Sequence, residues 1–334
     1  MERLDKKIFS TLFFSLFTTI TGVGIVVPLL PVYAHDLGAG GLYIALIFGA
    51  FSLSRTIFLP LFGRLSDKRG RKPFIVIGLF CYAVVSIAFM LSDSVETLIG
   101  IRFFQGIASA MIMPVTQAYV GDITPAGKEG FSMGLFNLSV FFGLSLGPLA
   151  GGLINDQFSL DTAFGCMGVL TLIAFLLALL LLPPTRYERM NQNEQGLSAW
   201  SPMLKNKEII GLFAFRFSYT ACIGMIWSFL PVLADSRFSL SSSMIGILVM
   251  LGILISGIFQ APMGWLADHV NRQTMVIIGG SLVTIAVFSL SLARGFWDLF
   301  AANVVFGIGG GIAMPAIMAL AVVHGSRSNA MGSV

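Results

Sequence analysis

The run Gly63-Arg64-Leu65-Ser66-Asp67-Lys68-Arg69-Gly70-Arg71-Lys72 places five basic side chains within ten residues, in a chain whose charged fraction is only 11%. Long apolar stretches flank it, Leu37 to Ser54 before and Pro73 to Ser92 after. Charge confined to a short connection between apolar runs is the signature of a membrane protein, and short Lys/Arg-rich connections lie on the cytoplasmic side. The loop therefore predicts both the solvent of the chain and its orientation.

Working outward, the composition agrees. Hydrophobic residues make up 56% of the sequence, with 30 Phe and 37 Gly, and the mean hydropathy is +0.89. Such a chain has too little polar surface to cover a globule in water. Cys81, Cys166 and Cys222 each sit inside an apolar run and read as small buried side chains, not as a disulfide or metal set. The net charge of +4 comes from basic connections on one side of the spans, so it reports topology and not a nucleic-acid partner.

A hydrocarbon core needs about 20 apolar residues per helix. On that measure the spans run 8–34, 42–62, 73–91, 97–120, 132–154, 162–182, 209–233, 242–265, 274–292 and 298–322. The first is too long for a cleaved signal segment. With the N-terminus inside, the cytoplasmic side collects Arg3, Lys6, Lys7, Arg64, Lys68, Arg69, Arg71, Lys72, Lys128, Arg186, Arg189, Lys205, Lys207, Arg272 and Arg327, against Arg237 and Arg294 outside. This is a clear positive-inside bias. Arg55, Arg102 and Arg216 remain within the spans.

An internal repeat divides the chain. Gly63-Arg-Leu-Ser-Asp67 with Arg71 returns as Gly264-Trp-Leu-Ala-Asp268 with Arg272, and Gly106 through Pro114 returns as Gly307 through Pro315, both at an offset of 201 residues. Duplicated bundles of this kind bracket a central site. The expected organisation is a six-helix half over 1–182, a cytoplasmic linker over 183–208, and a second half over 209–334. That second half holds four helices. Met133-Gly134 aligns with Met331-Gly332, after which two further spans would complete the pattern, so a chain cut short after its tenth helix is expected.

The pattern Gly-x-x-x-Asp-x-x-Gly-Arg-Lys of the basic loop resembles the loop between helices 2 and 3 of the major facilitator superfamily. Arg102-Phe-Phe-Gln105-Gly106 resembles the helix 4 motif whose arginine is associated with proton transfer in that family's antiporters. Gly143-Leu-Ser-Leu-Gly147-Pro148-Leu-Ala-Gly151-Gly152 resembles the helix 5 signature of its drug:proton exporters, tetracycline efflux proteins among them. The resemblance implies an all-α membrane bundle of two pseudo-symmetric halves, acting as a monomer in a bacterial inner membrane. It also implies a latch at the cytoplasmic ends, built on Gly63, Asp67, Gly70, Arg71 and Lys72, with Asp122 as partner and Asp268 and Arg272 as the repeat. Arg102 would then serve coupling.

Some of the same residues stand out on physical grounds. Glycines at 143, 147 and 151 share one helix face and admit a neighbouring backbone, while Pro148 removes a hydrogen bond and invites a kink. Asp67 lies one helical turn from Arg71 and can pair with it or with a neighbouring helix end. An arginine at mid-span costs about 2.5 to 3.5 kcal/mol on insertion scales, so Arg55, Arg102 and Arg216 should face a cavity or a partner. Snorkelling to the inner surface is the alternative for Arg55. Gln105, Gln117, Asn137, Gln260 and Asn303 are further cavity candidates, though each alone is more often a helix-to-helix hydrogen bond.

One departure stands out. Tetracycline-type relatives carry an Asp before the Gly-x-Gly and Pro-x-x-Pro pattern of helix 1, and here, ahead of Gly22, Gly24, Pro28 and Pro31, the position is Thr19. No Asp or Glu occupies the middle of any span. Proton coupling then needs another group, with His35 or Asp36 at the outer mouth as candidates. The expectation is an exporter of small amphipathic or drug-like molecules working by alternating access, with proton antiport as its coupling. A nutrient facilitator or symporter, and a non-transporting scaffold or sensor, are the alternatives. An enzyme is disfavoured, because the spans carry no His-Glu metal pair, nucleophile elbow or paired carboxylates. Neither metal nor cofactor is expected.

Overall fold

The computed structural model describes residues 6–125, 129–184 and 207–327. Most of the inferred linker, residues 185–206, lies outside the described residues, as do Arg3, Lys128 and Met331-Gly332. Among the described residues there are ten helices and no strand. They are α1 Lys6–Asp36, α2 Gly41–Arg69, α3 Arg71–Met90, α4 Val95–Ile123, α5 Glu129–Gln157, α6 Leu160–Leu181, α7 Lys207–Phe238, α8 Ser242–His269, α9 Arg272–Ser291 and α10 Phe296–Arg327. All ten are long and apolar enough to cross a bilayer.

In lipid a spanning backbone must satisfy its own polar groups, and the helix does so within one segment. Ends are fixed by local chemistry. Ser94 and Ser159 accept the backbone N–H groups of Thr97 and Thr162, and Asn271 accepts that of Gln273; these are side-chain N-caps. Several helices outrun the apolar spans read from sequence. α2, for example, continues through Arg64 and Asp67 to Arg69, because its charged end needs no hydrocarbon around it.

Two compact units emerge. The first comprises residues 1–188 together with 227–250, and the second residues 189–226 with 251–334. In the first, α1 packs against α5 and α6, α2 against α4, and α3 against α4 and α6. Leu12, Leu16, Leu79, Val120 and Ala174 form one core, and Ile25, Leu30, Leu98, Phe164 and Met167 form another. In the second unit α9 lies along α10, with Ala267, Met275 and Ala316 at the centre of a small cluster. Large apolar side chains such as Leu42, Leu180, Phe217 and Trp297 point outward, as lipid-facing residues do.

The 201-residue repeat holds in three dimensions. Helix starts at Lys6, Gly41, Arg71 and Val95 recur at Lys207, Ser242, Arg272 and Phe296. A methyl group at Gly78 would crowd Ala108 O and Ile112, and one at Gly279 would crowd Gly309 O and Ala313, the equivalent residues. Gly106 likewise lies against Ser54 and Phe51 O, and Gly307 against Ile255 and Gly252 O. The same crossings are built twice.

Candidate functional site

At the junction of α2 and α3, Gly70 has φ 88°, a conformation that side chains resist. This sharp turn brings Arg71 back onto α2. Its guanidinium pairs with Asp67, donates to Ser66 Oγ at 2.9 Å and reaches Asp122 Oδ2 at the end of α4 through Nε at 3.0 Å. Three helix ends thus meet on one fork. Lys72 sits half-buried beside it. Gly63 meets nothing within 4 Å of where a methyl group would stand, so its bareness serves no contact in this conformation. In the repeat, Asp268 and Arg272 pair at 3.5 Å and Arg272 Nε donates to Ala267 O.

Arg102 lies deep in the first unit, 4% exposed. One donor goes to Gln105 Oε1 at 2.7 Å, and its plane is covered by Phe51 and Phe48 of α2 at 4.5 and 5.0 Å. Arg102 Nε and Gln105 Nε2 have no hydrogen-bond partner. The guanidinium is therefore held by aromatic faces and one amide, with no carboxylate. Tyr82 of α3 lies close to Ser109 and within electrostatic reach of both Arg102 and Arg55.

The glycine face of α5 is buried on α1. A methyl group at Gly147 would stand 2.6 Å from Gly24 Cα and 2.7 Å from Thr21 O, one at Gly143 2.9 Å from Ile20, and one at Gly151 would overlap Ile25 O. Gly152 turns elsewhere, toward Ser242 O, and Gly246 meets Pro148 O. The motif thus serves two neighbours, α1 and the start of α8. Beyond its end, Asp156 accepts the backbone N–H groups of Ser242 and Ser243, both at 2.8 Å, and Asn155 donates to Ser242 Oγ at 2.8 Å. Sequence reading did not single out these two residues. The signal was present as an Asp four residues past the motif and a Ser-rich helix start at 241–243.

Arg55 and Arg216 do not join Arg102. Arg55 donates to Met113 Sδ at 3.4 Å and Arg216 to Met314 Sδ at 2.7 Å. Asn303, the repeat of Arg102, is buried and bonded to Leu299 O; Gln260 is half-buried, while Gln117 and Asn137 are exposed. Thr19 is buried and donates to Ser15 O at 2.7 Å. At the end of α1, His35 and Asp36 lie exposed within electrostatic reach of Asp235 on α7. No cluster of metal-ligating side chains occurs among the described residues.

Compared with known proteins, residues 12–334 match the pattern of the Major Facilitator Superfamily. The chain belongs to that superfamily. It is a multi-pass integral membrane transporter, in keeping with the ten membrane-length helices among its described residues. Among relatives of this superfamily member, an uncharacterized MFS-type transporter of Methanocaldococcus jannaschii is 30% identical over 96% of this chain and 84% of its own length. Quinolone resistance protein NorA of Staphylococcus aureus is 27% identical over 94% of this chain and 81% of its own. Solved structures share the fold. A bacterial homologue of the human lysosomal transporter Spinster superposes with TM-score 0.80 at 14% identity, over 99% of this chain and 78% of that one. The human organic anion transporter MFSD10 superposes with TM-score 0.66 at 16% identity, over 99% and 89%.

Proposed function

We propose that this superfamily member exports small amphipathic, drug-like molecules across the plasma membrane by alternating access, with its N-terminus in the cytoplasm. The similarity to a quinolone resistance protein over almost the whole chain carries the direction and the substrate class. The basic connections support the orientation. In this reading the Arg71, Asp67 and Asp122 cluster is the breakable contact that a two-state transporter needs at its cytoplasmic ends, and Gly63 is kept bare for the approach of a partner in the other state.

Arg102 is the coupling residue in this proposal. A guanidinium without a counter-ion, covered by Phe48 and Phe51, responds strongly to any charge that arrives beside it, because burial weakens screening. Everted vesicles with a pH-sensitive dye test the reading. Addition of a quinolone should trigger proton release in the wild type and none in Arg102→Ala. Substrate movement without proton movement would instead support the facilitator reading, which Thr19 and the lack of a mid-span carboxylate favour.

A further inference from the structure

Arg102 is enclosed by its own unit. Gln105 touches it from α4, Phe48 and Phe51 from α2, and Tyr82 of α3 lies at electrostatic range. It is 4% exposed, and no carboxylate pairs with it among the described residues. A guanidinium does not give up its proton in a protein, so the charge persists where desolvation is costly. One amide oxygen takes one of its donors. The charge itself is covered by two rings, with Cζ 4.5 Å from the centroid of Phe51 and 5.0 Å from that of Phe48. Residues three apart share a helix face, so α2 alone presents both.

Space filling does not require this arrangement, as the repeat shows. At the offset of 201 residues Arg102 becomes Asn303, Gln105 becomes Phe306, Phe51 becomes Gly252 and Phe48 becomes Val249. The crossing is the same, since Gly307 meets Gly252 O as Gly106 meets Phe51 O. A methyl group at Gly252 would stand 3.7 Å from Phe306 and 3.8 Å from Asn303 Oδ1. The second unit therefore fills this crossing with one ring, supplied by α10, beside a neutral amide that bonds Leu299 O of its own helix. Where the cation is absent, both rings of the facing helix are absent too. A contact based on charge predicts that association, and packing alone does not.

We propose that Phe48 and Phe51 are positioning residues for Arg102, their ring faces standing where a counter-ion would and holding the guanidinium charged, buried and unpaired. A carboxylate in that place would take the fork with two charge-assisted bonds and occupy its donors. A ring attracts the cation through its quadrupole and leaves the in-plane N–H groups unused, as Arg102 Nε is here. The cation is thereby fixed in position and still open to a charge that arrives. The inference rests on the reading of Arg102 as the coupling residue and supplies what keeps that residue in readiness.

The test replaces Phe51, and separately Phe48, with phenylalanines carrying one, two or three ring fluorines, which drain the quadrupole and nearly keep the shape. Thermal unfolding of the full chain in detergent is the first readout. The same series at Phe136, a buried ring with no cation over it among the described residues, reports the apolar effect of fluorine and is subtracted. The midpoint should then fall stepwise, by about 2 to 4 °C for three fluorines at Phe51 and by less at Phe48. In an Arg102→Met background the Phe51 series should be flat. A flat Phe51 series beside Arg102, or an equal fall beside Met, overturns the proposal; if Arg102→Met does not fold, the comparison with Phe136 decides.

Proton release in everted vesicles is the second readout, with norfloxacin as the added quinolone. It should drop about five-fold across the Phe51 series. A falling midpoint with undiminished proton release would show that the rings serve the fold alone, and overturns their positioning role. If the unsubstituted protein releases no proton, the coupling reading of Arg102 fails by itself, and the midpoints still decide whether the rings hold the cation.

Discussion

Ser239 occupies, in the turn between α7 and α8, the place that Gly38 occupies in the turn between α1 and α2, and both have positive φ, 49° and 87°. Only one of them is a glycine. At Ser239 the chain closes α7 with hydrogen bonds from Ser239 N to Asp235 O and from Leu240 N to Ala234 O, the Schellman pattern that usually recruits glycine. The serine is retained at a conformational cost.

Ser239→Gly should therefore stabilise the protein by about 0.5 to 1 kcal/mol, the left-handed penalty being partly offset by the added freedom of the unfolded chain. Gly38→Ser should destabilise it by a similar amount. Thermal unfolding in detergent reads both, and a lower melting temperature for Ser239→Gly would show that the turn does not bear this strain.

The two acidic and basic clusters differ in a way that a double-mutant cycle can measure. Arg71 is 13% exposed and bonds two carboxylates, whereas Arg272 is 29% exposed and pairs with an Asp268 carboxylate that is 68% exposed, at 3.5 Å. Coupling between Arg71→Ala and Asp122→Ala should reach about 1 kcal/mol, and that between Arg272→Ala and Asp268→Ala only about 0.3 kcal/mol or less. Equal couplings would mean that the repeat, not the fork, sets the strength.

Ten spans, their order and the duplicated pattern were legible because lipid imposes one rule on every residue in a run. The pairing of Asp67 with Arg71 also followed from spacing, whereas Asp122 as the further partner came from the family resemblance. The surroundings of Arg102 followed from neither. Phe48 and Phe51 lie about fifty residues away in sequence, and nothing in their own helix distinguishes them from lipid-facing phenylalanines. Met113 and Met314 were hidden for the same reason: a methionine before a proline announces no partner until a second helix supplies the arginine.

Two glycines on α2 and α4 predict opposite outcomes. A methyl group at Gly106 would strike Ser54 Oγ and the backbone oxygen of Phe51, whereas one at Gly63 meets open space. Gly106→Ala should cost about 1 to 3 kcal/mol by forcing the α2 and α4 backbones apart. Gly63→Ala should be neutral or stabilising by up to about 1 kcal/mol, since alanine favours the helix. If Gly63 is reserved for close approach in another state, that variant will nonetheless lose transport. Wild-type flux in a stable Gly63→Ala protein would remove this glycine from the gating scheme.

Asp156 makes the last prediction. Its two oxygens take the first backbone N–H groups of α8, donors that no residue within the helix can satisfy. Ser241 supplies a further cap, accepting the N–H of Met244 at 3.4 Å, so the helix start is tied both to its own turn and to α5. Asp156→Ala removes only the second tie, at a cost of about 1 kcal/mol by analogy with a lost N-cap. The effect should be local. Hydrogen exchange at Ser242 and Ser243 should accelerate several-fold while the Ser94-capped start of α4 stays protected, and Asp156→Glu should restore part of the protection. Because Gly152 and Pro148 of the same helix press against Ser242 and Gly246, loosening this contact also frees the glycine motif on one of its two sides. Transport rate should then change along with exchange. Unchanged exchange at Ser242 and Ser243 in Asp156→Ala would show that backbone packing holds the start of α8, and that the carboxylate merely occupies a surface already formed.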